Sequence, residues 1–413
     1  MMKREYIEKT AQVLVKVGIN IQPGQTLVLQ SDPGNIELAR EVTKVAFENG
    51  AKDVVVILND PEIDHIRAKY ADTETLRNVP DYKKEQIDYY LRDGNGVQMG
   101  LMGSHPDLMS DVEQEKSVAI ALASNDVRNV IRKYIYEGTL QWTGTAVANK
   151  DWAKKVYPEL DEDAALERLE DDIAIMMRVD QDDPVQAWRD HCDRLAVWSD
   201  KLNDFNFKSV HITTGLGTDI SMDLVKDHTW TSAGTMGEER VRAPYVANMP
   251  TEEVFSVPNR FTTNGIAYAS RPLTISGKMV KDFWIRFENG LAVDCGASEG
   301  ADVLRKQLFT DENTRRLGEV ALVSKQSAIT KLNRVYFNGL IDENAASHLA
   351  FGSSFPSNIK GSANMTQEEL MAIGVNYAVS HNDFMIGTLD MHVVGTTYDG
   401  KEIVIMDEGD FVI

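Results

Sequence analysis

The chain of 413 residues is longer than one hydrophobic core normally organises, so we expect two domains. Its composition, 43% hydrophobic and 26% charged residues, is typical of a globular protein and excludes the disordered and fibrous classes. Lys and Arg number 43 against 64 Asp and Glu, and the resulting net charge of −21 argues against nucleic acid as a partner.

Cysteine usage and the N-terminus indicate the compartment. Cys192 and Cys295 are the only cysteines and neither stands in a CxxC context, so a disulfide framework and a zinc ribbon are excluded. The first residues, MMKREYIEKTAQVLVKVG, predict an amphipathic helix without the apolar core of a signal peptide, and the sequence contains no run of about 18 apolar residues. We therefore expect a cytoplasmic protein with no membrane partner.

The N-terminal half alternates helical and strand patterns. A helix through Val17 precedes the strand QTLVLQS, the helix ELAREVTKVAFENG ends at Gly50, and the apolar run DVVVIL follows as a second strand. This βαβ rhythm predicts a parallel sheet covered by helices. Long helical patterns then continue as far as AWRDHCDRLAVWSDKLNDF. No glycine-rich phosphate-binding motif follows the first strand, so no nucleotide site is expected there.

The pattern changes near residue 205 to short strands separated by turn residues. SVHITTGLGTDISMDL predicts a hairpin around Gly215–Gly217, and PLTISGKMVKDFWIRFENGLAVDCGA predicts two more strands that turn at Asn289-Gly290. We expect short helices over DENTRRLG and around His348. The predicted fold is therefore α/β: an N-terminal α/β domain with a parallel sheet, residues 1–205, and a β-rich α+β domain, residues 206–413, that carries the candidate metal ligands.

The segment His381-Asn382-Asp383 offers an imidazole and a carboxylate on one side of the chain, because residues two apart in a strand project to the same face. Upstream, Glu252-Glu253, Glu319 and His348 add further oxygen and nitrogen donors. This set suits zinc, cobalt or manganese if the fold brings the residues together. Adjacent residues of an extended segment project to opposite faces, so only one of the paired glutamates can contact the metals.

The segments around these residues, NMPTEEVFSVPNR, LGEVALV, SHLAFG and HNDFMIG, resemble in order and spacing the signatures of the M29 family of metallo-aminopeptidases. The N-terminal half is similar to that family as well. The resemblance implies five metal ligands for two divalent ions: Glu253, Glu319, His348, His381 and Asp383. Glu319 is the candidate bridging and catalytic carboxylate, and Glu252 is expected to be solvated or to lie outside the ligand set.

The resemblance also implies an aminopeptidase that removes N-terminal residues from short peptides and assembles as a closed homodimer with an internal cavity. Three carboxylates and two imidazoles can hold two divalent ions about 3.5 to 4 Å apart, which activate a water for attack on a peptide carbonyl. No serine or cysteine nucleophile motif is present. Two alternatives use the same ligands: a non-catalytic protein that binds metal and peptide, and a binuclear hydrolase of another amide or a phosphoester.

Two positions depart from the family pattern. Phe355 in GSSFPSNIK stands where relatives carry a Tyr proposed to assist the reaction, and Ala378 stands where Ser is common. Neither residue is a metal ligand, so we expect metal binding to be retained. The missing hydroxyl predicts a lower turnover unless another group, such as Tyr377 or the second metal, supplies the same stabilisation.

His392 with Asp390 repeats the spacing of His381 with Asp383 and is the strongest competing pair. Its alternating context, LDMHVVG, is typical of an ordinary strand histidine rather than a ligand. The remaining histidines have no partner at ligand spacing and are expected to be surface or core residues: His65, His105, His191, His211 and His228.

Overall fold

The structure is a computed structural model that describes residues 2–234, 241–275 and 278–413, apart from the side chain of Tyr136. The chain divides into two compact units, Met1–Asp190 with Gly234–Pro250, and His191–Ala233 with Thr251–Ile413. The helix Pro184–Phe205 begins in the first unit and continues into the second. The domain limits inferred from the sequence, 1–205 and 206–413, stay a prediction.

The helices of the described ranges are α1 (Arg4–Val13), α2 (Ile36–Glu48), α3 (Pro61–Tyr70), α4 (Thr73–Arg77), α5 (Asp81–Leu91), α6 (Gln114–Tyr136), α7 (Lys150–Val156), α8 (Glu162–Met176), α9 (Pro184–Phe205), α10 (Ala301–Leu308), α11 (Ala328–Leu332), α12 (Gly339–Glu343) and α13 (Gln367–Ala372). A π-helical turn, Leu14–Gly18, extends α1 through Val17 as predicted. Within these ranges, no helix combines the length and the apolar character that a membrane span requires.

The strands, numbered along the chain, are β1 (Thr26–Ser31), β2 (Asp53–Leu58), β3 (Gly96–Gly103), β4 (Trp142–Val147), β5 (Phe207–Thr213), β6 (Asp219–Asp223), β7 (Thr231–Ser232), β8 (Asn248–Met249), β9 (Glu253–Ser256), β10 (Asn264–Tyr268), β11 (Leu273–Ile275), β12 (Lys278–Val280), β13 (Trp284–Glu288), β14 (Leu291–Gly296), β15 (Leu317–Val323), β16 (His348–Gly352), β17 (His381–Met385), β18 (His392–Thr397), β19 (Glu402–Asp407) and β20 (Asp410–Phe411). The strands pair in parallel in the first unit and antiparallel in the second.

In the first unit, five parallel strands form one sheet in the order β2-β1-β3-β4-β8. Most residues of β1 are buried, which is typical of a parallel strand covered on both faces. The helix α2 connects β1 to β2 and is followed by Gly50, whose φ of 90° lets the chain leave the helix without a Cβ clash. The parallel α/β prediction for the N-terminal half is confirmed.

The second unit is built from antiparallel sheets. An eight-stranded sheet has the order β14-β13-β10-β6-β5-β18-β19-β20, a five-stranded sheet the order β17-β16-β15-β9-β7, and β11 pairs with β12. The predicted hairpin of β5 and β6 forms with Gly217 at φ 111°. β13 and β14 turn at Asn289 and Gly290, where positive φ values of 50° and 79° suit a two-residue hairpin.

Two helices predicted in this half are wrong. The segment DENTRRLG forms turns, in which the Asp311 carboxylate accepts the Thr314 N–H at 2.8 Å, and β15 then begins at Leu317. His348 begins strand β16, whereas the preceding helix α12 ends at Glu343. Every residue of β16 is buried, and its backbone groups are satisfied by pairing with β15 and β17, which outweighs the local helical pattern.

Candidate metal centre

The strand β15 defines the face of the five-stranded sheet on which the predicted ligands meet. Glu319, Ala321 and Val323 are spaced by two along β15, so their side chains project to the same side. Directly opposed residues of antiparallel strands share a face as well. Glu253 of β9 lies opposite Val323, and His348 of β16 lies opposite Ala321, so three of the five ligands share this face.

The strand β17 brings the other two ligands to the same face. Ala350 of β16 lies opposite Glu319 on one side and opposite Asp383 on the other. His381 lies two residues before Asp383, opposite Gly352, and projects in the same direction. The sheet register therefore brings all five residues predicted from the sequence onto one surface.

Small residues leave space between the ligands. Ala321 and Ala350 occupy the inner positions of this face, and Gly352 lies opposite His381. At Gly352 the φ angle is 112°, and a Cβ would lie 2.0 Å from the carbonyl oxygen of Ser380. Only glycine fits there without moving the backbone of β17.

Distances among the side chains divide the cluster into two overlapping triads. His348 Nε2 lies 3.1 Å from Glu253 Oε2 and 3.4 Å from Glu319 Oε1. His381 Nε2 lies 3.1 Å from Asp383 Oδ1 and 3.5 Å from Glu319 Oε2. Both triads bring their donor atoms within metal-binding reach of one another, and they share Glu319. One oxygen of Glu319 thus faces each imidazole, so this carboxylate belongs to both triads.

Backbone carbonyls fix the orientation of both imidazoles. His348 Nδ1 lies 3.2 Å from the carbonyl oxygen of Ala346, and His381 Nδ1 lies 2.6 Å from that of Ser353. A carbonyl oxygen can only accept, so each Nδ1 carries the proton and donates it. Each Nε2 is thereby directed at the carboxylates, as in protein sites where a histidine binds a metal through one nitrogen and donates from the other.

The electrostatics of the cluster favour cations. Burial alone would lower the pKa of both imidazoles, but the surrounding carboxylates outweigh it. Glu253 and Glu319 hold the pKa of His348 well above its usual range, and Asp383 with Glu319 raises the pKa of His381 to about 10. Protons and metal ions therefore compete for the Nε2 atoms of both imidazoles.

The carboxylates respond to the same neighbours in different ways. Burial raises the pKa of Glu319, whose side chain is only 6% exposed, although the imidazoles of His348 and His381 oppose the shift. Burial also acts to raise the pKa of Asp383, but the adjacent His381 outweighs it and holds the value below the usual range. A carboxylate in a fully buried strand such as β15 is costly unless a positive charge compensates it, and a bridging position between two cations supplies that charge.

Two buried carboxylate oxygens of the cluster have no hydrogen-bond donor among the described residues, which bears on whether metal ions fit there. Glu253 Oε2 and Asp383 Oδ1 are buried and make no hydrogen bond with any described residue, although each lies 3.1 Å from an imidazole nitrogen. Buried polar atoms are rarely left unsatisfied. These two oxygens belong to different triads, so one cation in each triad would satisfy both. The residues present therefore fit two divalent ions.

Glu343, at the end of α12, is a carboxylate that the sequence reasoning missed. It lines the same cavity as His381 and Asp383. Burial, together with the carboxylates of Asp383 and Glu253, raises its pKa well above the usual range. Glu343 stands in ENAASHLAFG, five residues before His348, a separation that matches neither helix nor strand periodicity and so gave no signal. This carboxylate could hold a cation or accept a proton beside the cluster.

Comparison with known proteins gives the family. The family model described as thermophilic metalloprotease (M29) matches residues 3–411. The chain belongs to the M29 family. Similar proteins include aminopeptidase AmpS of Bacillus subtilis (strain 168), 35% identical over 97% of each chain, and aminopeptidase PepS of Streptococcus thermophilus, 36% identical over 99% of this chain and 98% of that protein.

A solved M29 structure has the same fold. Wild-type AmpT from Thermus thermophilus matches with a TM-score of 0.91 and 33% sequence identity, over 99% of this chain and 100% of that chain. Aminopeptidase T of Thermus aquaticus is 36% identical over 99% of each chain. The resemblance inferred from the sequence motifs is thus confirmed, and with it the α/β class with a β-rich C-terminal half.

Competing residues of this M29 protein lie apart from the triads. Glu252 is only 5% exposed, which rules out the solvated placement and agrees with the alternative expectation of a carboxylate outside the ligand set. Its N–H donates to the Asn344 side chain, and its carboxylate lies 3.8 Å from His191. His392 Nδ1 lies 3.0 Å from Asp407 rather than contacting Asp390. Both findings agree with the choice of Glu253 over Glu252 and of the pair His381 and Asp383 over the pair His392 and Asp390 as candidate ligands.

Phe355 borders the M29 site. Its ring centroid lies 5.0 Å from that of His381 and 6.1 Å from that of Phe255. The phenyl ring therefore packs beside the imidazole that Asp383 and Glu319 contact, but it offers no hydroxyl there. Tyr377 instead packs on an apolar cluster that includes Val375.

Proposed function

We propose that the chain is a metal-dependent aminopeptidase that removes N-terminal residues from short peptides with a water activated by two divalent ions. The observation that carries the proposal is the position of Glu319, whose two oxygens lie 3.4 and 3.5 Å from the imidazoles of two separate triads. In this assignment Glu253 and His348 would hold one ion, His381 and Asp383 would hold the other, and Glu319 would be shared by both.

The two ions, when bound, would supply a water acidic enough to attack at neutral pH and a Lewis acid for the scissile carbonyl. The protein residues hold this arrangement rigid. The carbonyls of Ala346 and Ser353 keep each Nε2 aimed at the cluster, and Glu343 offers a carboxylate in the same cavity for the proton released by the water. No serine or cysteine nucleophile is needed.

The exopeptidase assignment rests on the relatives, which are named aminopeptidases. An aminopeptidase substrate brings a free ammonium group, and the carboxylates around the cavity suit it. The oxygen and nitrogen donors suit zinc, cobalt or manganese, and geometry alone does not choose among them. A cytoplasmic location stays a prediction, which rests on a chain with two free cysteines.

We also propose a homodimer. Helix α3 exposes Ile63, Ile66 and Tyr70, which are 62%, 54% and 85% exposed. Their spacing of three and four residues puts them on one side of the helix. A row of large apolar side chains facing water favours association, and a second copy of the chain is the partner implied by the family resemblance.

The deciding experiment measures hydrolysis of free-amine peptides by protein that is first stripped by a chelator and then reloaded with zinc, cobalt or manganese. We expect turnover of short peptides with a free N-terminus only in the reloaded samples, and none with N-acetylated versions of the same peptides. Equal turnover of blocked peptides or of phosphate esters would favour a different binuclear hydrolase. Full metal loading without turnover on any substrate would favour a non-catalytic binding protein.

A further inference from the structure

A cavity of about 220 Å³ opens directly beside the metal cluster. His381, Asp383 and Met385 all line it, and their spacing of two along β17 gives them one direction. The apolar side chain of Met385 therefore follows the carboxylate of Asp383 on the same face of the strand, about 7 Å further along. Leu273 and Val335 are further apolar members of that lining.

Phe337 completes the apolar wall and is held by its loop. Its φ is 54°, a left-handed conformation that bulky residues rarely adopt. Asp342 fixes the residues on either side of it: its carboxylate accepts the N–H of Tyr336 at 2.8 Å and that of Asn338 at 3.0 Å. Strained residues of this kind persist where the surroundings hold them, commonly at ligand contacts. The backbone that carries Phe337 is thus held in place beside the cavity.

The cavity combines a carboxylate with an apolar wall. Glu343 lines it together with Leu273, Val335, Phe337 and Met385. In an N-terminal residue, the free ammonium group and the side chain branch from the same Cα, one bond from the carbonyl that reacts. A residue with a charged amine and an apolar side chain therefore matches both features at once.

We propose that this cavity receives the side chain of the substrate's N-terminal residue and selects large apolar side chains over small and acidic ones, with Phe337 as a specificity-determining residue. The inference rests on the aminopeptidase function proposed above. Leu, Met and Phe side chains fill the apolar part, whereas Ala leaves it empty. Glu or Asp would bring a charged carboxylate against the apolar side chains that line the cavity, which is unfavourable because the charge loses its contact with water.

The test compares kcat/KM of the metal-loaded protein on p-nitroanilides of Leu, Met, Phe, Ala and Glu. We expect the large apolar substrates to exceed the Ala substrate by at least roughly 100-fold, because a methylene placed in an apolar pocket contributes roughly 10-fold and Leu has three carbons more than Ala. The Glu substrate should fall below the Ala substrate. Equal values across the panel, or a preference for Ala or Glu, would overturn the proposal.

Two variants test whether residues of the cavity cause the preference for large apolar substrates. Phe337→Ala should lower kcat/KM for the Leu substrate by roughly 10-fold more than for the Ala substrate, because one wall of the cavity is lost. Val335→Trp should fill the cavity and reduce the Leu and Phe substrates far more than the Ala substrate. Phe261→Ala, at a phenylalanine that is 49% exposed and outside the cavity lining, is the matched control and should change no ratio.

Metal content is measured on every sample, so that a loss of folding or loading is separated from a change of selectivity. If Phe337→Ala fails to fold, Val335→Trp still decides the question. Unchanged substrate ratios in a folded, loaded cavity variant would overturn the assignment of the cavity while the aminopeptidase function stands. Absence of turnover on every free-amine substrate by the loaded protein would overturn both.

Discussion

The ring of Phe355 packs on the imidazole of His381, with centroids 5.0 Å apart and ring planes inclined by 59°. This contact shields one side of a proposed ligand and helps to hold its orientation. It also puts an apolar edge where the family resemblance implies a tyrosine hydroxyl. Metal binding and transition-state stabilisation can therefore be separated at this position.

We predict that Phe355→Tyr raises kcat while metal content stays the same. A restored oxyanion donor is worth on the order of 100-fold, which sets the upper limit of the gain. The measurement is kcat on a short free-amine peptide with metal analysis of the same sample, and Phe261→Tyr is the control for an added hydroxyl elsewhere. An unchanged kcat would mean that another group already supplies the stabilisation.

The metal count should respond differently to each ligand. Reconstituted protein should bind two divalent ions per chain. Asp383→Asn should retain one ion, because the triad of Glu253, Glu319 and His348 stays intact, whereas Glu319→Gln should bind neither. Elemental analysis after reconstitution gives the stoichiometry. Glu252→Gln, which alters the neighbouring carboxylate outside the triads, should retain both ions.

A stoichiometry of one ion or none in the unmodified protein would refute the two-ion site. Loss of a single ion from Glu319→Gln would refute the bridge alone. Circular dichroism of each variant shows whether a lost ion reflects the ligand or the fold.

The sequence predicted which residues lie together better than it predicted the elements that carry them. Strand alternation was enough to pair His381 with Asp383 and to exclude one of the two adjacent glutamates, because a period of two depends only on an extended backbone. The helix predicted around His348 was wrong, since the pairing of β16 with strands distant in sequence decides its conformation. Such non-local pairing is invisible in a single segment.

Glu343 is a second residue whose position could not be predicted from its local sequence. No spacing rule connects a glutamate to a histidine five residues later when a helix ends and a strand begins between them. Its carboxylate reaches the cavity because α12 packs against β17. Glu252 is the converse case: the sequence left open whether its side chain lies in water or beside the ligands, and contacts with Asn344 and His191, which are remote in sequence, decide for the buried position.

Metal affinity should rise with pH. The carboxylates that surround the two imidazoles keep the pKa of His381 at about 10 and that of His348 well above its usual range, so metal binding releases their protons. Affinity should therefore improve by roughly 10-fold per pH unit for each proton released. Titration calorimetry between pH 6 and 8, in buffers of different ionisation enthalpy, counts the protons. An affinity independent of pH and buffer would contradict the protonated state of the metal-free cluster.

Gly352→Ala should destabilise the protein and weaken the ion held by His381 and Asp383. The added Cβ would lie 2.0 Å from the Ser380 carbonyl oxygen, and φ is 112°, so β17 must move. We expect the free energy of unfolding to fall by more than about 2 kcal/mol. Gly361→Ala is a matched control, because its φ of 78° is also positive but no atom lies within 4 Å of the new Cβ. Equal unfolding midpoints in denaturant for both variants would refute the steric argument.

Self-association should depend on α3. We expect light scattering at micromolar concentration to give a dimer, and Ile66→Lys combined with Tyr70→Lys to shift it towards monomer by introducing charge on the exposed apolar side. Leu389→Lys alters a residue that is 70% exposed elsewhere and should leave the dimer intact. A monomeric unmodified protein would rule out the assembly. An enclosed dimer would also cleave short peptides and spare folded proteins.

The arrangement of Ala350 between Glu319 and Asp383 makes metal content a reporter of folding fidelity. A shift of β16 or β17 by one residue would turn every side chain of that strand to the opposite face and separate the donors of both triads. A chain that folded with such an error could still bury its apolar residues, yet it could not form the proposed site for two ions. Counting ions per chain after refolding therefore measures the fraction of molecules with correctly aligned strands, independently of any substrate.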